Sequence, residues 1–332
     1  MQFPCVVRLY LLVLEAMVVH RICNIGTFFV LLYEPIRPHR EDNILNSGSD
    51  SARIEPMRRL FKELRLKLSV RWFRYLAIAI VSILAVSLFF NLLEVPLVLA
   101  QSKVTKLGKL AAATTGQKVL VFSPHPDDES IAVGGYIAQS VINGANVNIV
   151  LVTDGNAQGE EAVRYAEFKK ATRVLGVPEA NLVFLSFPDS KLASGNQIEF
   201  QAALQMQIDK YNPDIIVYPS PYDYNRDHRA IGRAIERILK IESRPITAYN
   251  YLVHFELDYP RPRKFAPSNN LLPPKRMADV NKECLSFYLS SSVESRKEKA
   301  IFIYQSQLHN PELNGLMHAY IRKNEILSIP KT

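Results

Sequence analysis

Eighteen residues, Lys118 to Gly135 (KVLVFSPHPDDESIAVGG), constrain this chain more than any other stretch. Val119 to Phe122 is a short, β-rich apolar run, too brief for a helix, and reads as a buried parallel strand. It runs into Ser123-Pro124-His125-Pro126-Asp127-Asp128-Glu129. One imidazole and three carboxylates therefore stand at the carboxyl end of a strand, where open α/β sheets form their ligand crevices. From Ser130 onward, Ile131, Ala132, Ile137, Ala138, Val141 and Ile142 recur at helical spacing. The acidic cluster then sits at a helix N-terminus, whose dipole favours ionised carboxylates. These features point to a metal site.

The same alternation continues downstream. Apolar runs at Val147–Thr153, Leu182–Phe187, Asp214–Tyr218 and Ile246–Val253 read as four more strands. Helical patterns lie between them at Glu160–Leu175 (closed by Gly176), Ile198–Tyr211 and Arg229–Ile241. Regular strand–helix alternation predicts βαβ units, hence an α/β fold with a mostly parallel, three-layer sheet. Residues 258–276 carry five prolines and read as an irregular loop, and Val293–Leu308 reads as a closing helix.

The amino-terminal hundred residues differ in kind. Residues 1–56 are interrupted by charges, then polar, and read as a poorly ordered extension; Met57 is a candidate alternative start. Residues 57–74 hold seven Lys/Arg against one Glu, a basic juxtamembrane segment. Tyr75 to Leu93 contains no charged residue, enough for about 28 Å of helix against a hydrocarbon core of about 30 Å. A single transmembrane anchor is expected over 75–96, with a tether over 97–117. The charge asymmetry predicts an extracytoplasmic domain over 118–310 and a tail over 311–332. Val98-Leu99-Ala100 offers a signal-peptide cleavage site as the alternative to an anchor. Net charge is +8 overall, but residues 101–332 carry 28 basic against 24 acidic side chains. The basic excess is local, so it gives no reason to expect a nucleic-acid partner. One cysteine, Cys284, lies in the expected catalytic region, which excludes an internal disulfide or a thiolate zinc cluster there.

Three strand ends offer polar groups to one crevice: His125/Asp127/Asp128/Glu129, Asp154, and Asp223/Asn225/Asp227/His228. Pro126 favours a turn at His125, in which positions i and i+3 can converge on one ion while Asp127 points elsewhere. Two histidines and a carboxylate with an open position form a familiar catalytic-zinc set. A neighbouring carboxylate is then needed to take a proton from attacking water, and Asp127 is placed for that. The plainer alternatives are that Asp127 and Asp128 cap a helix and that His228 is a core histidine. Gly134-Gly135 does not make a G-x-G-x-x-G fingerprint; close packing of helix on sheet explains it better than a dinucleotide site.

SPHPDDES after an apolar strand, Thr153-Asp154-Gly155, Arg164 with Glu167, and DHRAIG at 227–232 together resemble the PIG-L/LmbE-like de-N-acetylases. The similarity extends over roughly residues 117–308, including KEKAIFIYQSQ at 297–307. It implies a Rossmann-like fold and a zinc hydrolase that removes acetyl from N-acetylglucosaminyl groups. It also implies zinc ligands His125, Asp128 and His228, Asp127 as general base, Asp227 in the proton network and Arg164 at the substrate. Many members carry a histidine three residues before the last ligand; here that position is Asn225. An amide can donate a hydrogen bond to an oxyanion but cannot protonate a leaving amine. Asp127 then serves as both base and acid, or His254 leans into the site. The expected partners are an amino-sugar small molecule or glycolipid and a membrane. The alternative is a catalytically silent sugar-binding protein that kept the metal cup.

Overall fold

The computed structural model describes residues 63, 72–85, 101–255, 259–275, 277 and 284–330. The chain divides into two units, 1–86 and 87–332. In the first, residues 72–85 form helix α1, along which Trp72, Phe73, Tyr75, Leu76, Ile78, Ile80, Val81, Ile83 and Leu84 are exposed. No helix among the described residues is long and apolar enough to cross a membrane. The later part of the expected anchor over 75–96, and the extension over 1–56, lie outside the described residues.

The second unit holds one eight-stranded sheet in the order β1-β7-β8-β6-β5-β2-β3-β4. Its strands are β1 (Gly108–Lys109), β2 (Lys118–Ser123), β3 (Asn146–Thr153), β4 (Leu182–Phe187), β5 (Ile215–Pro219), β6 (Thr247–Tyr251), β7 (Cys284–Tyr288) and β8 (Asn324–Ser328). Only β8 runs against its neighbours, β6 and β7; the other pairings are parallel. The helices are α2 (Gln101–Val104), α3 (Asp128–Ile142), α4 (Glu161–Leu175), α5 (Gln197–Tyr211), α6 (Arg226–Ile241), α7 (Ser291–Ile301), α8 (Gln305–Leu308) and α9 (Pro311–Ala319).

Alternation along the strands builds the two cores, because successive side chains leave opposite faces. Val119 and Val121 join Ile131 and Tyr136 of α3, Phe168 of α4 and Ala300 of α7 on one face. Leu120 and Phe122 join Phe200 and Leu204 of α5 and Ile231 and Ile235 of α6 on the other. Helices thus cover both faces of the sheet.

Three boundaries differ from expectation. The 97–117 tether contains α2 and the edge strand β1, which pairs with β7. The expected 311–332 tail supplies α9 and β8, and every residue of β8 is buried between β6 and β7. The closing helix breaks into α7 and α8 at residues 302–304. Glu325 of β8, fully buried, accepts the backbone N–H groups of Gly135 (2.6 Å) and Tyr136 (2.8 Å) and the ammonium of Lys297 (2.7 Å). A Cβ at Gly135 would collide with Leu289 and meet this carboxylate at 3.0 Å. Gly135 therefore lets α3 approach the sheet closely, whereas a Cβ at Gly134 would meet only ordinary contacts from 3.5 Å.

The chain runs outward from β2 through β3 to β4, then crosses back to β5 on the other side of β2. Ligand crevices open at such a reversal, at the carboxyl ends of the two central strands. The loop after β2 carries His125, and the loop after β5 leads to His228.

Candidate metal centre

The loop from β2 into α3 is held in an uncommon conformation. Asp127 has φ 147° and ψ −32°, positive for a residue with a Cβ, which costs on the order of 1–3 kcal/mol. Glu129 braces it: fully buried, its carboxylate accepts from the Asp127 N–H (3.3 Å) and from the hydroxyls of Ser123 (3.2 Å), Ser130 (2.6 Å) and Tyr304 (2.5 Å). Asp127 makes no side-chain cap bond to α3. The Asp128 carboxylate instead accepts from the backbone N–H of His125, three residues earlier, at 3.0 Å. The capping alternative is thereby set aside for both.

The second loop is tied by Asp223. It accepts from the N–H groups of Asn225 (2.8 Å), Val253 (2.8 Å) and His254 (3.0 Å), joining the ends of β5 and β6. Asn225 is the N-cap of α6: its side-chain oxygen accepts from Asp227 N (2.8 Å) and His228 N (3.4 Å). That cap starts α6 at Arg226 rather than at Arg229, and it places Asp227 and His228 in the first turn, buried.

The two loops bring His125, Asp128 and His228 together. His125 Nδ1 and His228 Nε2 each lie 3.1 Å from Asp128 Oδ2, and 3.3 Å from one another. Donors of a tetrahedral ion held at 2.0–2.1 Å stand about 3.3 Å apart, so this triangle matches the size of a zinc-type ion. Oxygen-ligated calcium needs longer bonds, and imidazole donors favour transition metals. Behind each imidazole stands a carboxylate on its other nitrogen, as ligating histidines require. His228 Nδ1 lies 3.3 Å from Asp223, while His125 Nε2 lies 3.4 Å from Asp189 and 3.5 Å from Asp227. His125, Asp128 and His228 therefore fit a divalent metal of this class.

The field agrees with the geometry. Burial alone would lower both histidines, yet Asp128, Asp189 and Asp227 hold His125 well above its usual value, and Asp128 with Asp223 hold His228 at about 9. Burial would raise Asp128, but the two histidines hold it well below the usual carboxylate range. Asp189 is held at about 2, burial being outweighed by His125 and Arg164. A site that draws protons onto two imidazoles favours a dication, whose binding displaces those protons. Asp127 behaves oppositely: burial first, then the neighbouring Asp128, push it up to about 8 against Arg164.

Each remaining candidate has a definite place. Arg164, 4% exposed, donates to the carbonyls of Gly155 (2.8 Å) and Pro126 (3.1 Å) and to Asp127 (3.4 Å). It holds Asp127 from within the cavity wall. Asp227 accepts from Ser190 N (2.6 Å) and Leu192 N (3.2 Å), fixing the loop that presents Asp189. Asp154 lies outside the cavity lining and binds Asn156 N and Asp189 N, so its work is to shape turns. His254 does reach the site: it packs edge-on against His228, centroids 5.1 Å apart, and burial lowers it to about 4. Sequence reasoning missed Asp189, although Pro188-Asp189 follows β4 in the same strand-end position. It also missed α9.

His125, Asp128, Arg164 and Asp189 line a cavity of about 170 Å³, with Asp127, Asn225 and His254 beside them. The rest of the lining includes Ile131 of α3 and Leu313, Leu316 and Met317 of α9.

Residues 120–239 match the family model PIG-L, GlcNAc-PI de-N-acetylase. A Bacillus anthracis protein named "Probable N-acetyl-alpha-D-glucosaminyl L-malate deacetylase 2" is 30% identical over 135 residues, 36% of this chain and 58% of the relative. The diacetylchitobiose deacetylase of Thermococcus kodakarensis is 32% identical over 128 residues, 35% of this chain and 46% of the relative. The chain thus spans about half the length of these curated relatives. Among solved structures, the N,N′-diacetylchitobiose deacetylase of Pyrococcus horikoshii aligns at 22% identity and TM-score 0.46, covering 74% of this chain and 92% of that one. Residues 120–239, which carry both histidines and the Asp127-Asp128 pair, are a PIG-L family domain.

Proposed function

We propose that this chain is a zinc-dependent N-deacetylase that hydrolyses the acetamide of an N-acetylglucosamine-type amino sugar to free amine and acetate. The observation that carries this is the 3.1–3.3 Å donor triangle of His125, Asp128 and His228 with Asp127 lining the same cavity. The family of residues 120–239 and the deacetylase relatives supply the substrate class.

Zinc held by these residues would supply Lewis-acid polarisation of the acyl carbonyl. Asp127 takes the proton of the attacking water and later delivers it to the departing amine. Its raised pKa suits both roles, since a general base works best near operating pH. A dication held in the cup would oppose the repulsion from Asp128 and lower Asp127 toward its ionised form. Asn225 has its oxygen committed to the α6 cap, which leaves its NH₂ group to donate to a developing oxyanion. His254 is neutral at pH 7 and can donate one N–H without carrying an extra proton. Both donors serve the developing oxyanion in this reading, while the departing amine takes its proton from Asp127.

The acceptor is a soluble conjugate or a glycolipid. An extracytoplasmic, membrane-anchored placement belongs to the proposal and rests on the uncharged run Tyr75–Leu93 behind its basic segment. Acetate release from a panel of N-acetylglucosamine conjugates tests the activity. It should be lost on chelation and restored by zinc; no release from any conjugate by zinc-loaded protein contradicts it.

A further inference from the structure

The cavity beside the cup is polar on the side of Asp127, Asn225 and His254 but also carries a cluster of apolar groups: Ile131, Leu313, Leu316 and Met317. Ile131, Leu316 and Met317 are almost fully buried, and Leu313 is partly exposed. Three of the four come from α9, which is firmly fixed. Asn310 caps its start through Glu312 N (3.0 Å), and Asn314 donates to Leu308 O (2.7 Å). The Tyr320 hydroxyl at its end donates to Leu252 O (3.0 Å) and Val253 O (2.8 Å), next to His254. The apolar surface is therefore held in register with the polar one.

An amino sugar carries hydrogen-bonding hydroxyls around its ring, and an apolar lining leaves those groups unpaired. Its N-acyl chain is the substituent that has none, and it is bonded directly to the carbonyl carbon under attack. When that carbon lies beside Asp127, the chain has to enter the surrounding cavity. We propose that Leu313, Leu316 and Met317 of α9, with Ile131, form the acyl-side specificity surface, which receives the hydrocarbon part of the N-acyl group and sets its permitted length. This rests on the deacetylase reading. In the reaction water's oxygen bonds to the acyl carbon and the C–N bond breaks. The carboxylate leaves on one side, and the amine keeps the electron pair and gains the proton.

The test uses zinc-loaded full-length protein and three substrates, N-acetyl-, N-propionyl- and N-butyryl-glucosamine conjugates, followed by release of primary amine. Wild type should favour acetyl over butyryl by about tenfold or more, the discrimination an apolar pocket exerts on added methylenes. Leu313→Ala, chosen because its site is only partly buried, should raise the butyryl-to-acetyl ratio of kcat/KM about tenfold; Leu316→Ala should act in the same direction. Leu313→Phe should lower that ratio. Folded variants with unchanged ratios, or with equal losses for all three substrates, would overturn the assignment while leaving the deacetylase reading intact. Amine release from none of the three by wild type would overturn both.

Discussion

Asp223 shows how much of the candidate metal cup is made by residues outside its donor set. One of its oxygens receives Asn225 N; the other receives Val253 N and His254 N and lies 3.3 Å from His228 Nδ1. It therefore fixes the loop that begins α6 and the imidazole that α6 presents. Asp223→Asn keeps one acceptor for the backbone but removes the charge behind His228. Zinc affinity by equilibrium dialysis should fall about 10–100-fold, the usual cost of losing such a partner. An unchanged affinity would contradict the orienting role. The three donors of the candidate cup are legible in the sequence, because His125 and Asp128 share one turn and each histidine follows a strand. Asp223 stood in the same loop, but its role depends on where β6 ends, which no local pattern reveals. Arg164 lines the cavity and also holds Gly155, Pro126, Asp127 and Asp189 within the fold, partners that spacing does not reveal.

At the scale of elements, the five strands that alternate with helices were readable, since apolar runs of that length between amphipathic helices have few other solutions. Strands β7 and β8 were not. Their sequences, CLSFY and NEILS, are short and mixed, and β8 is buried by pairing with β6 and β7 rather than by an apolar pattern. Helix α9 was missed for the same reason, although it begins with Pro311 after a capping Asn310. Helix α6 depends on one close approach. A Cβ at Gly232 would come within 2.5 Å of Pro219 O and 2.6 Å of Pro221 N, both backbone atoms at the end of β5. Gly232→Ala should therefore push α6 from the sheet and destabilise the protein by about 1–3 kcal/mol, the range for overpacking. Urea unfolding measures this; a midpoint equal to wild type would mean that α6 tolerates the shift.

At the scale of the whole molecule, the sheet's reversal beside β2 accounts for a site assembled from residues a hundred positions apart. His125 comes from one side of the reversal and His228 from the other, and β6 adds His254. The proposed membrane anchor makes a prediction at this scale. Carbonate extraction of membranes from cells expressing the full chain should leave the protein in the pellet, and protease should digest residues 101–332 from the extracytoplasmic side. A fully extractable protein would contradict the anchor. If Asp127 moves the proton in a metal-assisted deacetylation, Asp127→Asn separates that role from metal binding when acetate release and zinc content are measured on the same variant. The variant should hold as much zinc as wild type and release acetate at least about 100-fold more slowly, as loss of a general base requires. A variant that keeps wild-type turnover at equal zinc content would rule out Asp127 as the proton carrier.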